Sequence, residues 1–119
     1  MSYRLAPSLA VLRQQLVDRF GIPKSAVGWI GDAAHRARPS QHNPDPDGTV
    51  DAIDIPHIPQ AGLDMAVLTT ELIASGDPRL QLIIWDRRIW SRARATEGWR
   101  RYSGANPHTV HAHVETTDA

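Results

Sequence analysis

Apolar residues recur every three or four positions in residues 8–20, a spacing typical of a helix that buries one side. The apolar positions are Leu9, Leu12, Leu16 and Phe20. Ser8 is placed to cap the start of this helix, and Gly21 is placed to end it. We therefore predict a first helix that packs against the core.

A second stretch with helical spacing begins near Asp64 and ends before Gly76. Its apolar side is formed by Leu68, Leu72 and Ile73. We predict a second core-packing helix there, also with a structural role.

Alternation of apolar and polar residues predicts a strand at residues 50–55, VDAIDI. Asp54 would share one face of this strand with Ala52. The opposite face would carry Asp51, Ile53 and Ile55. The preceding segment, ARPSQHNPDPDGT at 37–49, is crowded with Pro, Asp, Asn and Gly and is predicted to be a loop.

Residues 80–93, LQLIIWDRRIWSRA, predict two short strands on either side of a turn at residues 86–88. The turn lacks the Asn-Gly pair that would make the hairpin signal strong. We interpret Trp85 and Trp90 as packing residues rather than as a platform for a ligand.

The segment VHAHVE at 110–115 alternates, which predicts a third strand region. Residues two apart on a strand point to the same side, so His111, His113 and Glu115 would share one face. The opposite, core-facing side would carry Val110, Ala112 and Val114. A helix would not explain this alternation, because residues two apart on a helix do not face each other.

The chain has 119 residues, enough for one domain with its own core, and we interpret residues 1–119 as a single domain. Its 41% hydrophobic and 22% charged residues are typical of a soluble globular protein. Together the elements predict an α+β domain: a small antiparallel sheet with two helices packed on one side and a cleft on the other.

Thirteen basic residues balance thirteen acidic ones, so the formal net charge is zero. This disfavours binding to nucleic acid through the arginines at 87–101 and binding to an anionic membrane. We find no secretory signal and no run long enough for a membrane helix, so a protein acting outside the cell that made it would need another route of release.

The chain has no cysteine, so a metal site would have to use nitrogen and oxygen ligands. A catalytic zinc site takes three such ligands and leaves a fourth position for water. His42 in the loop, Asp54 on the following strand and one histidine of the HAH pair supply that set. A calcium loop starting at Asp45 is disfavoured, because its sixth and twelfth positions are Val50 and Pro56 rather than Gly and Glu.

Two separated motifs, SQHNPDPDGTVDAIDI at 40–55 and HTVHAHV at 108–114, resemble the zinc D-alanyl-D-alanine carboxypeptidase and L-alanyl-D-glutamate endopeptidase family. The wider group includes lysostaphin and the hedgehog fold. GWIGDAAHRARPSQHNP at 28–44 and RRYSGANPHTVHAHV at 100–114 are similar to peptidase domains of endolysins from phages of actinobacteria. The resemblance covers most of residues 28–114.

The resemblance implies that His42, Asp54 and His113 hold Zn²⁺. It implies that His111 flanks the metal-bound water and the transition state. His108 resembles an additional histidine of members that end in HxxHxH.

Many members carry an acidic general base three residues before the last zinc histidine, where this chain has Val110. His108 and Glu115 are then the two candidates for the base. Arg36 and Arg38, which precede the first ligand, are either a clamp for a substrate carboxylate or ordinary surface arginines. His35 either lines the cleft or is a solvated loop histidine, and the second interpretation is favoured.

The function that the resemblance implies is zinc-dependent hydrolysis of a peptide bond in the stem peptides of bacterial peptidoglycan, by a monomer. A phage enzyme of this kind would be made in the host cytoplasm and act on the cell wall after release. The alternative is a zinc-containing binding module of the same fold that hydrolyses nothing, and the valine at 110 favours it.

Overall fold

The computed structural model describes residues 3–29 and 48–119. Within these ranges the chain forms two α-helices, α1 at Pro7–Phe20 and α2 at Met65–Ala74, so both predicted helices are confirmed. Short 3-10 helices lie at Lys24–Ala26, Pro59–Ala61 and Arg92–Glu97. None of the helices in the described ranges is long and apolar enough to cross a membrane.

The start of α1 differs from the prediction, and its end does not. The helix begins at Pro7 with Ala6 as its N-cap, so Ser8 lies inside the helix and the prediction that it caps the start is wrong. The physical reason is Pro7, whose fixed φ and missing N–H suit the first helical position. Gly21 ends the helix in the left-handed region at φ 66° and donates its N–H to Val17, as predicted.

The start of α2 is held by two side chains that accept hydrogen bonds from otherwise unpaired N–H groups. The Asp64 carboxylate accepts from the N–H of Ala66 at 2.8 Å. Nδ1 of His57 accepts from the N–H of Met65 at 3.0 Å. His57 therefore helps to fix the entry into this helix.

The described strands form a five-stranded antiparallel sheet and a separate two-stranded parallel pair. The strands are β1 Arg4–Leu5, β2 Thr49–Val50, β3 Ala52–Pro56, β4 Leu80–Trp85, β5 Arg88–Ser91, β6 Arg100–Arg101 and β7 His111–Thr116. The large sheet has the order β3-β7-β4-β5-β6, and β1 pairs with β2. The described part of the chain is therefore an α+β fold, as predicted.

The strand predicted at 50–55 is divided in the structure. Val50 belongs to β2 and pairs with Leu5 near the N-terminus, whereas Ala52 begins β3 and pairs with Glu115. The alternation of residues 52–55 is retained, so Asp54 still faces away from the buried Ile53 and Ile55.

One face of the large sheet packs with both helices to form the core. The core cluster combines apolar side chains of α1 and α2 with those of β3, β4, β5 and β7. Its members include Leu9, Leu16, Met65, Leu68, Ile53, Ile55, Ile83, Trp85, Trp90, Ala112 and Val114. The packing role predicted for the two tryptophans is confirmed, since they are 6% and 5% exposed.

Val110 does not belong to the core face, and the prediction that it does is wrong. β7 begins at His111, and the side chain of Val110 is 70% exposed. The alternation that places Ala112 and Val114 in the core therefore does not extend to the residue before the strand. The carbonyl of Val110 instead accepts a hydrogen bond from the N–H of His57 at 2.9 Å.

The turn between β4 and β5 also holds the segment that precedes β7. Asp86 and Arg87 both adopt left-handed conformations, with φ 50° and 63°, as two-residue hairpin turns of mirror-image type require. Their N–H groups donate to the carbonyls of His108 and Pro107, each at 2.9 Å. The hairpin thus fixes the backbone at His108.

Candidate metal centre

The candidate centre lies on the sheet face opposite the helices, where β3 and β7 run side by side. Asp54 is paired with His113 in the register of these two strands. Directly paired residues point to the same face, as do residues two apart on one strand. Asp54, His111, His113 and Glu115 therefore share one face, which confirms the common face predicted for the last three.

The Asp54 carboxylate lies between two imidazoles. Its Oδ1 is 3.4 Å from Nδ1 of His113, and its Oδ2 is 3.8 Å from Nε2 of His111. The side chain of His113 is 9% exposed, whereas that of His111 is 27% exposed. The centre therefore has a buried side at His113 and an open side at His111.

His108 approaches the same point from the segment before β7. Its ring centroid is 5.1 Å from that of His111 and 5.7 Å from that of His113. Its backbone is left-handed, with φ 55°, which is uncommon for a residue other than glycine. Strain of this kind persists where surrounding contacts hold it in place.

Besides the hairpin turn, Asn106 supplies contacts of this kind. Its side-chain Oδ1 accepts a hydrogen bond from the N–H of His108 at 3.0 Å, and its backbone carbonyl lies 2.8 Å from Nδ1 of His108. A carbonyl only accepts, so Nδ1 must carry the proton. Nε2 of the neutral His108 ring is then the nitrogen with a free lone pair.

The two more buried histidines have shifted pKa values of opposite sign. Burial lowers the pKa of His108, with the Asn106 carbonyl opposing this in part. Burial would also lower the pKa of His113, but hydrogen bonds to Asp54 and Glu115 raise it to about 9. A neutral imidazole and a carboxylate-bound imidazole therefore lie next to each other.

Glu115 contacts the far side of the His113 ring. Its Oε2 lies 2.7 Å from Nε2 of His113, and its side chain is 21% exposed. Glu115 therefore engages the ring nitrogen that does not face Asp54.

Tyr102 and Asn106 are parts of the site that the sequence reasoning missed. The ring of Tyr102 lies edge-on to His108, with centroids 6.0 Å apart. It also covers Gly104, where an added Cβ would overlap the tyrosine hydroxyl. The Asn-Pro pair at 106–107 does signal a turn. Helical spacing and strand alternation, however, do not indicate which side chain of this turn lies in the site.

The ligand chemistry of the cluster suits a metal ion. Ligand atoms of Asp54, His108 and His111 all lie within 4.8 Å of one another, so these three residues could hold a metal ion. This trio shares only Asp54 with the predicted ligands. Of the other two, His113 approaches Oδ1 of Asp54, whereas His111 approaches Oδ2, and His42 lies outside the described residues.

His35, Arg36, Arg38 and Ser40 also lie outside the described residues. The described part of the centre is thus one carboxylate with three imidazoles, two of them on β7 and one on the preceding segment. Comparisons with protein-family models, curated proteins and solved structures found no match.

Proposed function

We propose that the protein is a zinc-dependent peptidase that hydrolyses a peptide bond in the stem peptides of bacterial peptidoglycan. The observation that supports it most is that Asp54, His108 and His111 bring their ligand atoms within 4.8 Å of one another, with Nδ1 of His113 3.4 Å from the same carboxylate, although Asp54 and the histidines are more than fifty residues apart in sequence. The class of substrate comes from the resemblance of the two motifs to cell-wall peptidases.

In this proposal Asp54 and His113 hold the metal together with His42. The donors are one carboxylate and imidazole nitrogens, which suit zinc in a site with an open position. Zinc at such a site supplies a water whose pKa is about 7 and polarises the carbonyl of the bond to be cut. The trio Asp54, His108 and His111 is the other arrangement that the described geometry permits.

His111 would stabilise the oxyanion that forms at the substrate carbonyl. It lies on the open side of the centre, 27% exposed, with Nε2 3.8 Å from Asp54. An imidazole N–H directed at the position where negative charge develops lowers the barrier of the reaction.

His108 would take the proton of the attacking water on Nε2 and pass it to the leaving amine. Burial keeps this ring neutral near pH 7, and the Asn106 carbonyl keeps the free lone pair on Nε2. Val110 cannot accept a proton, and Glu115 is bonded to His113, so His108 is the best placed of the candidate bases.

The test is digestion of purified peptidoglycan by the zinc-loaded protein, followed by mass spectrometry of the muropeptides and measurement of new amine groups. We expect new amines from the wild type, loss of the reaction with a chelator and recovery with zinc. Asp54→Asn and His113→Ala should lose at least about 100-fold in rate. Asp118→Asn, at an exposed position near the C-terminus, is the matched control and should retain activity.

A second candidate function is a zinc-containing binding module of the same fold. The exposed, apolar Val110 favours it, because that position is acidic in many of the peptidases that the chain resembles. Such a module would bind zinc and sediment with peptidoglycan without releasing amines. A folded, zinc-loaded wild type that binds the wall and yields unchanged muropeptides would favour the module over the peptidase.

A further inference from the structure

We infer that Glu115 is a positioning residue of the metal centre, which holds His113 so that Nδ1, and not Nε2, is presented to the ion. The inference rests on the proposed function in taking this cluster to bind zinc with His113 among the ligands. It assigns Glu115 a role other than that of a general base.

The contact between the two side chains is short and sheltered. Nε2 of His113 lies 2.7 Å from Oε2 of Glu115, within the range of strong charge-assisted hydrogen bonds. The side chain of His113 is 9% exposed, and β7 is paired on both sides, with β3 and with β4. The two residues are two apart on this strand, so the sheet itself holds their side chains next to each other.

The orientation of the ring follows from this contact. With Nε2 bonded to Glu115, Nδ1 is the nitrogen directed at Asp54, whose Oδ1 is 3.4 Å away. A histidine that binds a metal commonly donates its other N–H to a carboxylate or carbonyl, which fixes the tautomer and the angle of the ring. Glu115 would supply that carboxylate for His113.

The neighbouring histidine has the opposite arrangement. Nδ1 of His108 is taken by the Asn106 carbonyl, which leaves Nε2 for the centre. The two rings are 5.7 Å apart and would present different nitrogens to the same space. The inference can therefore be tested by spectroscopy, because it specifies which ring nitrogen of His113 binds the metal. A glutamate with only a structural role would not specify this nitrogen.

The first measurement is zinc affinity, by competition with a chromophoric chelator, for the wild type, Glu115→Ala and Glu115→Gln. Loss of such an outer partner typically weakens metal binding 10–100-fold, and we expect this for Glu115→Ala. Glu115→Gln retains an oxygen that accepts the bond and should stay within a few-fold of the wild type. Glu71→Ala, which removes an exposed glutamate 3.9 Å from Arg19, is the control and should not change the affinity.

The second measurement uses the wild type alone and so does not depend on a variant that folds. In protein loaded with ¹¹³Cd and labelled with ¹⁵N, the metal should couple to Nδ1 of His113. Coupling to Nε2 would overturn the inference, as would a folded Glu115→Ala with wild-type zinc affinity. If the metal couples to Nδ1 but no muropeptide product forms, the role of Glu115 is retained and the peptidase is rejected. If the wild type cleaves peptidoglycan but the metal couples to Nε2, the peptidase is retained and the role of Glu115 is rejected.

Discussion

Asp54 and His113 face each other directly across the β3–β7 pair, with Oδ1 of one 3.4 Å from Nδ1 of the other. The neighbouring pair in the same register, Ile53 and Val114, is fully buried on the opposite face. If the pairing of β3 with β7 shifted by one residue, the side chains of the shifted strand would exchange faces. The register that buries Ile53 and Val114 in the core is therefore also the one that places Asp54 beside His113.

The metal-free protein should lose stability as the pH rises through about 9, because the hydrogen bonds that the His113 ring donates to Asp54 and Glu115 raise its pKa from 6.5 to about 9 despite its burial. The folded state then holds a proton that the unfolded state releases. This contribution is fully present below about pH 6.5, is lost as the pH rises through about 9, and amounts to roughly 3 kcal/mol.

The measurement is urea unfolding in chelator between pH 6 and pH 10, for the wild type and for His113→Gln. The variant lacks the titrating ring and should show a smaller fall in the free energy of unfolding. Equal falls in the two proteins would contradict the prediction.

Replacing His108 by glycine should destabilise the protein less than replacing it by alanine. The residue has φ 55°, a conformation that costs a residue with a Cβ roughly 1–2 kcal/mol and costs glycine little. We expect His108→Gly to be more stable than His108→Ala by about 1 kcal/mol in thermal or urea unfolding. The same pair of changes at His111, which lies in a strand, should give the opposite order.

Gly104→Ala should displace Tyr102 from the ring of His108. A Cβ at this position would overlap the tyrosine hydroxyl, so the ring must move, at a cost of roughly 1 kcal/mol in the free energy of unfolding. The measurement is the NMR signal of the His108 ring, which should shift. Gly28→Ala is the control, since an added Cβ there meets nothing within 4 Å. An unchanged His108 signal in Gly104→Ala would refute the prediction.

Two valines four positions apart should respond very differently to truncation. Val114 is 0% exposed and Val110 is 70% exposed. Val114→Ala should lower the free energy of unfolding by about 2 kcal/mol, and Val110→Ala by less than about 0.5 kcal/mol. The free energies of unfolding of both variants can be measured by chemical denaturation. Similar losses in the two variants would contradict the prediction, because they would mean that Val110 also packs against the core.

The helices and the polar face of β7 could be predicted from the sequence because their signals are local. The spacing of Leu9 and Leu16 is enough to indicate a helix, and the alternation of His111 and His113 is enough to place both on one face. The prediction failed where a local pattern ended, at Ser8 and Val110. At the first position the helix begins one residue earlier, at Pro7, and at the second the strand begins one residue later, at His111.

The sequence by itself determined that His111, His113 and Glu115 share a strand face and that the donors of any metal are nitrogen and oxygen. Only the tertiary structure decided that β7 lies between β3 and β4, so that Asp54 faces His113. It also decided that the hairpin turn at 86–87 and Asn106 hold His108 beside the other two imidazoles. The physical reason is that side-chain direction follows from the backbone repeat of a few residues, whereas strand order and the docking of a turn depend on contacts between residues distant in the chain.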